Sequence, residues 1–126
     1  MTACIANGGI VSSGSVLHFS DIRTQFGISN VYRFRVTGKF NCEIGGVYLM
    51  SVWILSSIDG AEFAIFKNGN NIAQAFITNN GDGKSNTATA VVAVDLRVND
   101  KVWVQTVHRM YAGTSHRSCM TVVKLD

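Results

Sequence analysis

The chain has 126 residues, 47% of them hydrophobic and only 15% charged, with 11 Lys and Arg against 8 Asp and Glu for a formal net charge of +3. This length makes one domain, residues 1–126, around a single core, and the apolar fraction excludes a disordered chain. The mild positive balance falls short of a nucleic-acid footprint, and no apolar run reaches the ~20 residues that span a bilayer, so neither nucleic acid nor membrane insertion is expected; so lightly charged a surface implies cover by partner subunits.

Residues 1–15 are rich in Gly and Ser, with an apolar patch at Ala3 to Ala6 that reads as an edge strand before a loop. Met1 is followed by no charged n-region and no continuous apolar h-region, so either a secretory leader has been removed or the protein is cytosolic. Val16 to Ile22 alternates, with Leu17, Phe19 and Asp21 opposite Val16, His18, Ser20 and Ile22, and reads as a half-buried strand. Tyr32 to Val36 alternates strictly, placing Tyr32, Phe34 and Val36 on one side and Arg33 and Arg35 in water, again the period of a strand. Two β-type runs, Phe34 to Cys42 and Val47 to Leu55, then hinge at Gly45-Gly46. The second is almost continuously apolar, as when both faces of a strand are covered, and belongs at the centre of the core.

Lys67-Asn68-Gly69-Asn70 separates Glu62 to Phe66 from Ile72 to Ile77, and Asn-Gly between β-type runs predicts a hairpin because both residues accept positive φ. Asn79 to Asn86 is a polar loop. Thr87 to Leu96 puts Ala88, Ala90, Val92, Val94 and Leu96 on one face and Thr87, Thr89, Val91, Ala93 and Asp95 on the other. Val98 to Lys101 turns into a strand over Val102 to Val107, a loop runs through Ala112 to Ser115, and a last strand covers Cys119 to Leu125. Eight to ten short strands with no period of 3.6 make an all-β chain, best fitted by a two-sheet antiparallel sandwich.

No Gly-x-Ser-x-Gly elbow is present, and His18, His108 and His116 read as surface or partly packed histidines, so no enzyme is expected. His108 and His116 match no zinc spacing. Asp82, within Asn79-Asn80-Gly81-Asp82-Gly83, has oxygen donors nearby and is the one calcium candidate, although the loop lacks the Asp-x-Asp-x-Asp-Gly order and a final Glu; no other cofactor is expected. From Lys101 to Leu125 there is no acidic residue. Arg109, Tyr111, His116 and Arg117 in that stretch suit anionic or hydroxyl-rich ligands, since guanidinium forks pair carboxylates and aromatic faces stack on sugar rings. Trp53 and Trp103 lie inside apolar strands and read as core or interface residues. The three cysteines, Cys4, Cys42 and Cys119, imply one disulfide and one free or intermolecular thiol.

Phe19, Tyr32, Thr37-Gly38-Lys39-Phe40, Gly46-Val47-Tyr48, Lys67-Asn68-Gly69, Asn99-Asp100-Lys101-Val102-Trp103-Val104 and Ser118 to Leu125, in this order, resemble the globular head domain of complement component 1q, a relative of the tumour necrosis factor ligands. The resemblance covers about residues 2–126. It implies a ten-stranded antiparallel jelly-roll sandwich that assembles as a homotrimer through a largely apolar inner sheet, and a secreted, non-catalytic protein. Within that family the chain is most similar to stand-alone head domains of bivalves, which implies lectin-like pattern recognition of glycans or microbial surface polysaccharides in innate immunity. A trimeric signalling or extracellular structural module that binds a protein receptor is the alternative.

Three departures stand out. Asn99 occupies a turn position that is usually Gly, and Asn also tolerates positive φ. Met120-Thr121-Val122-Val123 replaces the family's Phe-x-Gly-Phe. Cys42 matches a family cysteine whose partner position falls near Phe63 or Ala64 here, so that disulfide does not carry over and pairing of Cys42 with Cys4 or Cys119 stays open. There is no collagen-like stalk, so multivalency must come from the trimer itself or from further association.

Overall fold

The computed structural model describes residues 1–29 and 31–125. In chain order the strands are β1 (Thr2–Ile5), β2 (Gly9–Val11), β3 (Asp21–Thr24), β4 (Phe40–Asn41), β5 (Gly46–Ser56), β6 (Ala61–Lys67), β7 (Asn70–Ile77), β8 (Asn86–Leu96), β9 (Lys101–His108), β10 (Met110–Ala112) and β11 (Ser115–Lys124), with one helix, α1 (Val31–Thr37), between β3 and β4. They form a five-stranded sheet β3-β1-β11-β5-β8, a four-stranded sheet β4-β9-β6-β7 and a ribbon β10-β2. The pairings are antiparallel, and the fold is a jelly roll. Nine strands make the two main sheets and two the ribbon, against the ten expected, because β10 breaks away from β9 at Arg109 to pair with β2.

Period-two alternation builds the core. Met50, Val52 and Ile54 of β5 and Met120 and Val122 of β11 share one buried cluster with Phe63 and Ile65 of β6 and Val102 and Val104 of β9. Emptying one such position, as in Phe63→Ala, costs about 3–5 kcal/mol. Along β5 the inward side chains are Tyr48, Met50, Val52, Ile54 and Ser56, all buried. The alternate residues are also largely apolar, as the sequence anticipates, yet within one chain they are only partly covered: Val47 is 41% and Leu49 36% exposed. The alternation read for β8 is observed, with Ala90 and Leu96 buried and Val91 outward.

The hairpin joins β6 to β7 through Asn68 (φ 50°) and Gly69 (φ 91°), the two positive φ values that a two-residue turn of this hand requires. Asn99 adopts φ 74°, so the turn before β9 forms without glycine. Asp100 locks the two turns together: its carboxylate accepts the Arg97 N–H at 2.8 Å and the Asn68 side-chain amide at 3.0 Å, while the Asn68 oxygen accepts the Lys101 N–H at 2.9 Å.

Three sequence readings need correction. Tyr32 to Val36 is not a strand but most of α1, and the chain does contain a helix. Phe34 alone is buried there, with Val31 packed against the core one helical turn earlier, while Tyr32 is 76% and Val36 58% exposed. The i, i+3 pair Val31/Phe34 is the helical signal, and Gly38 at φ 74° ends the helix by donating its N–H to the Phe34 carbonyl. In Val16 to Ile22 the alternation is real, with Leu17 and Phe19 buried, but Val16 makes only an isolated bridge to Gln105 and the strand starts at Asp21. Of the cysteine pairings left open with Cys42, neither forms. Cys4 and Cys119 are direct partners in the β1–β11 register and are joined by the disulfide, with Cα atoms 4.0 Å apart. Cys42 is the free thiol, buried beside the Tyr48 hydroxyl.

Candidate functional site

β5, β9 and β7 end, and β8 and β11 begin, at one end of the sandwich, which is capped by two excursions of the chain. The first, residues 109–117, carries all four residues singled out above. It is anchored through its backbone. The Tyr111 N–H donates to Ser56 Oγ at 3.2 Å, the Gly113 N–H donates to the Leu55 carbonyl at 3.0 Å, and the Trp53 indole N–H donates to the His116 carbonyl at 3.2 Å. A side chain at Gly113 would stand 3.3 Å from Leu55 Cδ2, so the backbone lies directly on β5 there. These anchors bring Tyr111, His116 and Arg117 over the end of β5 and leave their side chains on the outside: His116 and Arg117 are exposed and Tyr111 half-buried.

Arg109 stands exposed at the β9–β10 corner, next to His108. His108 Nε2 lies 3.3 Å from Glu62 Oε1, and the other oxygen of Glu62 accepts the Gln74 side-chain amide at 2.8 Å. Beside Tyr111, on the paired strand, Ile10 is 54% exposed. Residues 109–117 thus carry two guanidinium groups, the His116 imidazole and one phenol, with Ile10 as the apolar partner of Tyr111 and the His108 imidazole next to Arg109 in sequence. Ile10 was missed in the sequence because nothing local marks Gly9–Val11 as the partner of β10.

The second excursion holds Asp82. Its organiser is Asn79, buried although polar: the side-chain amide donates to the Ser57 and Lys84 carbonyls at 2.8 and 2.9 Å, and its oxygen accepts the Gly81 N–H at 2.9 Å. Asp59 accepts the Asn79 N–H at 2.9 Å and the Thr78 hydroxyl at 3.0 Å, and these two bonds, the backbone one first, hold its carboxyl below the usual Asp value. Asp82 Oδ1 accepts the Lys84 N–H at 2.8 Å. Among the described residues no group of three or more His, Cys, Asp or Glu stands together to hold a metal ion. Asp59 escaped the sequence reading, and Asn79 entered it only as an oxygen donor near Asp82, although an Asn ahead of Gly-x-Gly is the kind of residue that ties a loop to itself.

The outward face of the five-stranded sheet is the other large surface feature. Across β11, β5 and β8 its rows are Val123–Leu49–Ala93, Thr121–Ser51–Val91 and Cys119–Trp53–Thr89. Val91 is 57% and Val123 43% exposed. No helix of the described residues is long and apolar enough to cross a membrane.

A family model described as "C1q domain" matches residues 9–121. Human "Complement C1q tumor necrosis factor-related protein 5" is 37% identical over 70 residues, covering 56% of this chain and 29% of that protein, and its rat counterpart is 36% identical over 69 residues, covering 55% and 28%. The matches thus span under a third of the length of these relatives. Among solved structures, the globular domain of zebrafish complement 1qA aligns with a TM-score of 0.76 at 14% identity, over 99% of this chain and 95% of that one. Murine APRIL aligns at 0.75 and 14% identity, over 98% of both chains, and Eiger TNF from S. frugiperda at 0.72 and 18%, over 100% and 92%. At such identities the structural likenesses show the fold alone.

Proposed function

The chain belongs to the C1q domain family, and from that premise we propose that it is a secreted, non-catalytic recognition protein, a homotrimer that presents three copies of the 109–117 end to glycans or microbial surface polysaccharides in innate immune pattern recognition. The observation that carries the assembly is the outward face of the five-stranded sheet. Val47, Leu49, Val91 and Val123, each 36–57% exposed, sit on three adjacent strands, which is a contiguous patch rather than scattered surface residues. Covering it with neighbouring copies removes it from water and turns three weak sites into one multivalent ligand reader.

At the 109–117 end, Arg109 and Arg117 offer forked donors to carboxylates or phosphates, Tyr111 a ring face and hydroxyl, and His116 a ring donor, the groups that recognise hydroxylated and anionic sugars. Asp82 is the candidate for calcium in the adjacent loop. The test is bacterial agglutination together with a glycan array, with and without a chelator. Agglutination inhibited by simple sugars, and at least tenfold weaker for the Arg109→Ala/Arg117→Ala double variant, is the expected result. Loss of agglutination in chelator would place a metal in the reading. No binding to any glycan or polysaccharide at about 1 mM trimer refutes the glycan reading, since weaker single sites contribute nothing measurable. It leaves the receptor reading, in which capture from tissue membranes resists sugar competition.

A further inference from the structure

The four-stranded sheet turns its outward face away from the apolar patch around Val91, and among its described residues it leaves one large apolar side chain in water, Phe76, 64% exposed on the edge strand β7. Phe76 stands directly opposite Glu62 of β6, and Glu62 in turn opposite His108 of β9. Gln74 shares this face with Phe76, because the alternate residues Ala73, Ala75 and Ile77 pack on the core. Beside Phe76 the planar polar side chains hold one another. The Asn71 amide donates to Gln74 Oε1 at 2.7 Å, the Gln74 amide donates to Glu62 Oε2 at 2.8 Å, and His108 Nε2 lies 3.3 Å from Glu62 Oε1. This chain uses one N–H of each amide. Asn71 and Gln74 are both exposed, so the second N–H of each, and Asn71 Oδ1, face solvent.

We propose that this face binds an uncharged sugar ring, its C–H face on the Phe76 ring and its hydroxyls on Gln74, Asn71 and Glu62. Each sugar hydroxyl both donates and accepts, and the two amides and the carboxylate set donors and acceptors side by side. The negative face of the Phe ring attracts the C–H groups of the sugar. Cross-strand neighbours such as Phe76 and Glu62 stand about 5 Å apart, and residues two apart on a strand such as Phe76 and Gln74 about 7 Å, so one ring on Phe76 reaches both. A purely apolar partner would strip water from the amides and from Glu62 without replacing its hydrogen bonds. An anionic sugar would meet the Glu62 carboxylate, the opposite preference from that of Arg109 and Arg117. The mutual hydrogen bonds hold the three side chains in place beforehand, which lowers the entropy cost of binding. In a trimer built on the five-stranded sheet this face stays in water. The inference shares its ligand class, glycans, with the reading above and rests on none of residues 109–117.

NMR titration of the isotope-labelled chain with methyl mannoside, methyl galactoside and N-acetylglucosamine tests it, with sialic acid as the charged control. At least one of the three uncharged sugars should shift the Phe76 and Gln74 signals saturably, and sialic acid should not. Phe76→Ala should weaken that binding about tenfold, whereas Phe76→Tyr, which keeps the ring, should not. Gln74→Leu should weaken it several-fold. Both positions are exposed, so these variants should keep the wild-type fold. Arg109→Ala/Arg117→Ala, which weakens agglutination in the reading above, should leave this binding unchanged, so that the two sites fail separately. The proposal is overturned by no saturable shift from any of the three sugars at about 50 mM, by shifts confined to residues 109–117, or by equal affinity of Phe76→Ala and wild type. Sialic acid shifting the same signals also overturns it, as does Phe76→Ala lowering the sedimenting mass, which would make the face a contact between copies of the chain.

Discussion

Replacing Val91 with Glu places a carboxylate in the middle of the outward face of the five-stranded sheet. In an isolated chain the position is 57% exposed and its side chain leaves the core, so folding should change by less than about 0.5 kcal/mol. In the proposed trimer the same position would be closed off. Fully burying a Val is worth about 1.5–3 kcal/mol, so the 57% still exposed contributes about 1–1.5 kcal/mol per copy. A carboxylate buried there without a partner costs several kcal/mol more. Over three copies the penalty reaches about 10 kcal/mol, and every 1.4 kcal/mol is a factor of ten in association. Sedimentation equilibrium at micromolar protein should therefore give three times 13.7 kDa for the wild type and 13.7 kDa for Val91→Glu, with a lower urea midpoint for the variant because it loses the stabilisation that association lends the folded chain. A variant that sediments at the wild-type mass refutes this face as the trimer contact.

Removing the disulfide with Cys4→Ala/Cys119→Ala frees a link across 115 residues of sequence, worth up to about 4–5 kcal/mol of unfolded-state entropy, and should lower the urea midpoint; an unchanged midpoint refutes the estimate. Gly8→Ala would bring its Cβ to 2.6 Å from Thr114 Cγ2 and 2.9 Å from the Ala112 carbonyl, costing about 1–3 kcal/mol, whereas Gly9→Ala meets nothing within 4 Å; equal melting temperatures for the two variants would contradict the contact. Asp59 and Asp100 are both held below the usual Asp value, Asp59 first by the Asn79 N–H and then the Thr78 hydroxyl, Asp100 first by the Arg97 N–H and then the Asn68 amide. A depressed folded value stabilises above the unfolded value of about 3.9 and is lost as pH falls through the folded one, so the urea midpoint should drop below about pH 4. Asp59→Asn and Asp100→Asn should flatten that drop, and a profile unchanged in both would show that these carboxylates do not contribute to it.

What could be read in the sequence was whatever local chemistry decides. Asn68-Gly69 demanded positive φ and gave its hairpin, Asn99 could take the same conformation and did, and the alternation in Thr87 to Leu96 sorted its faces correctly. Tyr32 to Val36 failed because five residues fit a period of two as well as a helix, and the choice falls to Gly38 and to the core that receives Phe34. The Cys4–Cys119 pair depends on which strands lie side by side across nearly the whole chain, and no spacing rule supplies that register. The four residues of the 109–117 end were legible as chemistry, by their cations and the absence of acids. Ile10 beside Tyr111 and Asp59 beneath the Asn79 loop were not, because tertiary pairing alone brings them there.

The bond between Cys4 and Cys119 also has a mechanical meaning. It joins β1 and β11, the strands nearest the two ends of the chain, which are already side by side. Tension applied to the chain outside these two residues passes from one to the other through a single covalent link. Force can peel residues 120–124 of β11 from β5, but the β5–β8 and β6–β7 ladders between the two cysteines carry none of that load, and residues 5–118 cannot be extended until a reductant, not force, opens the link.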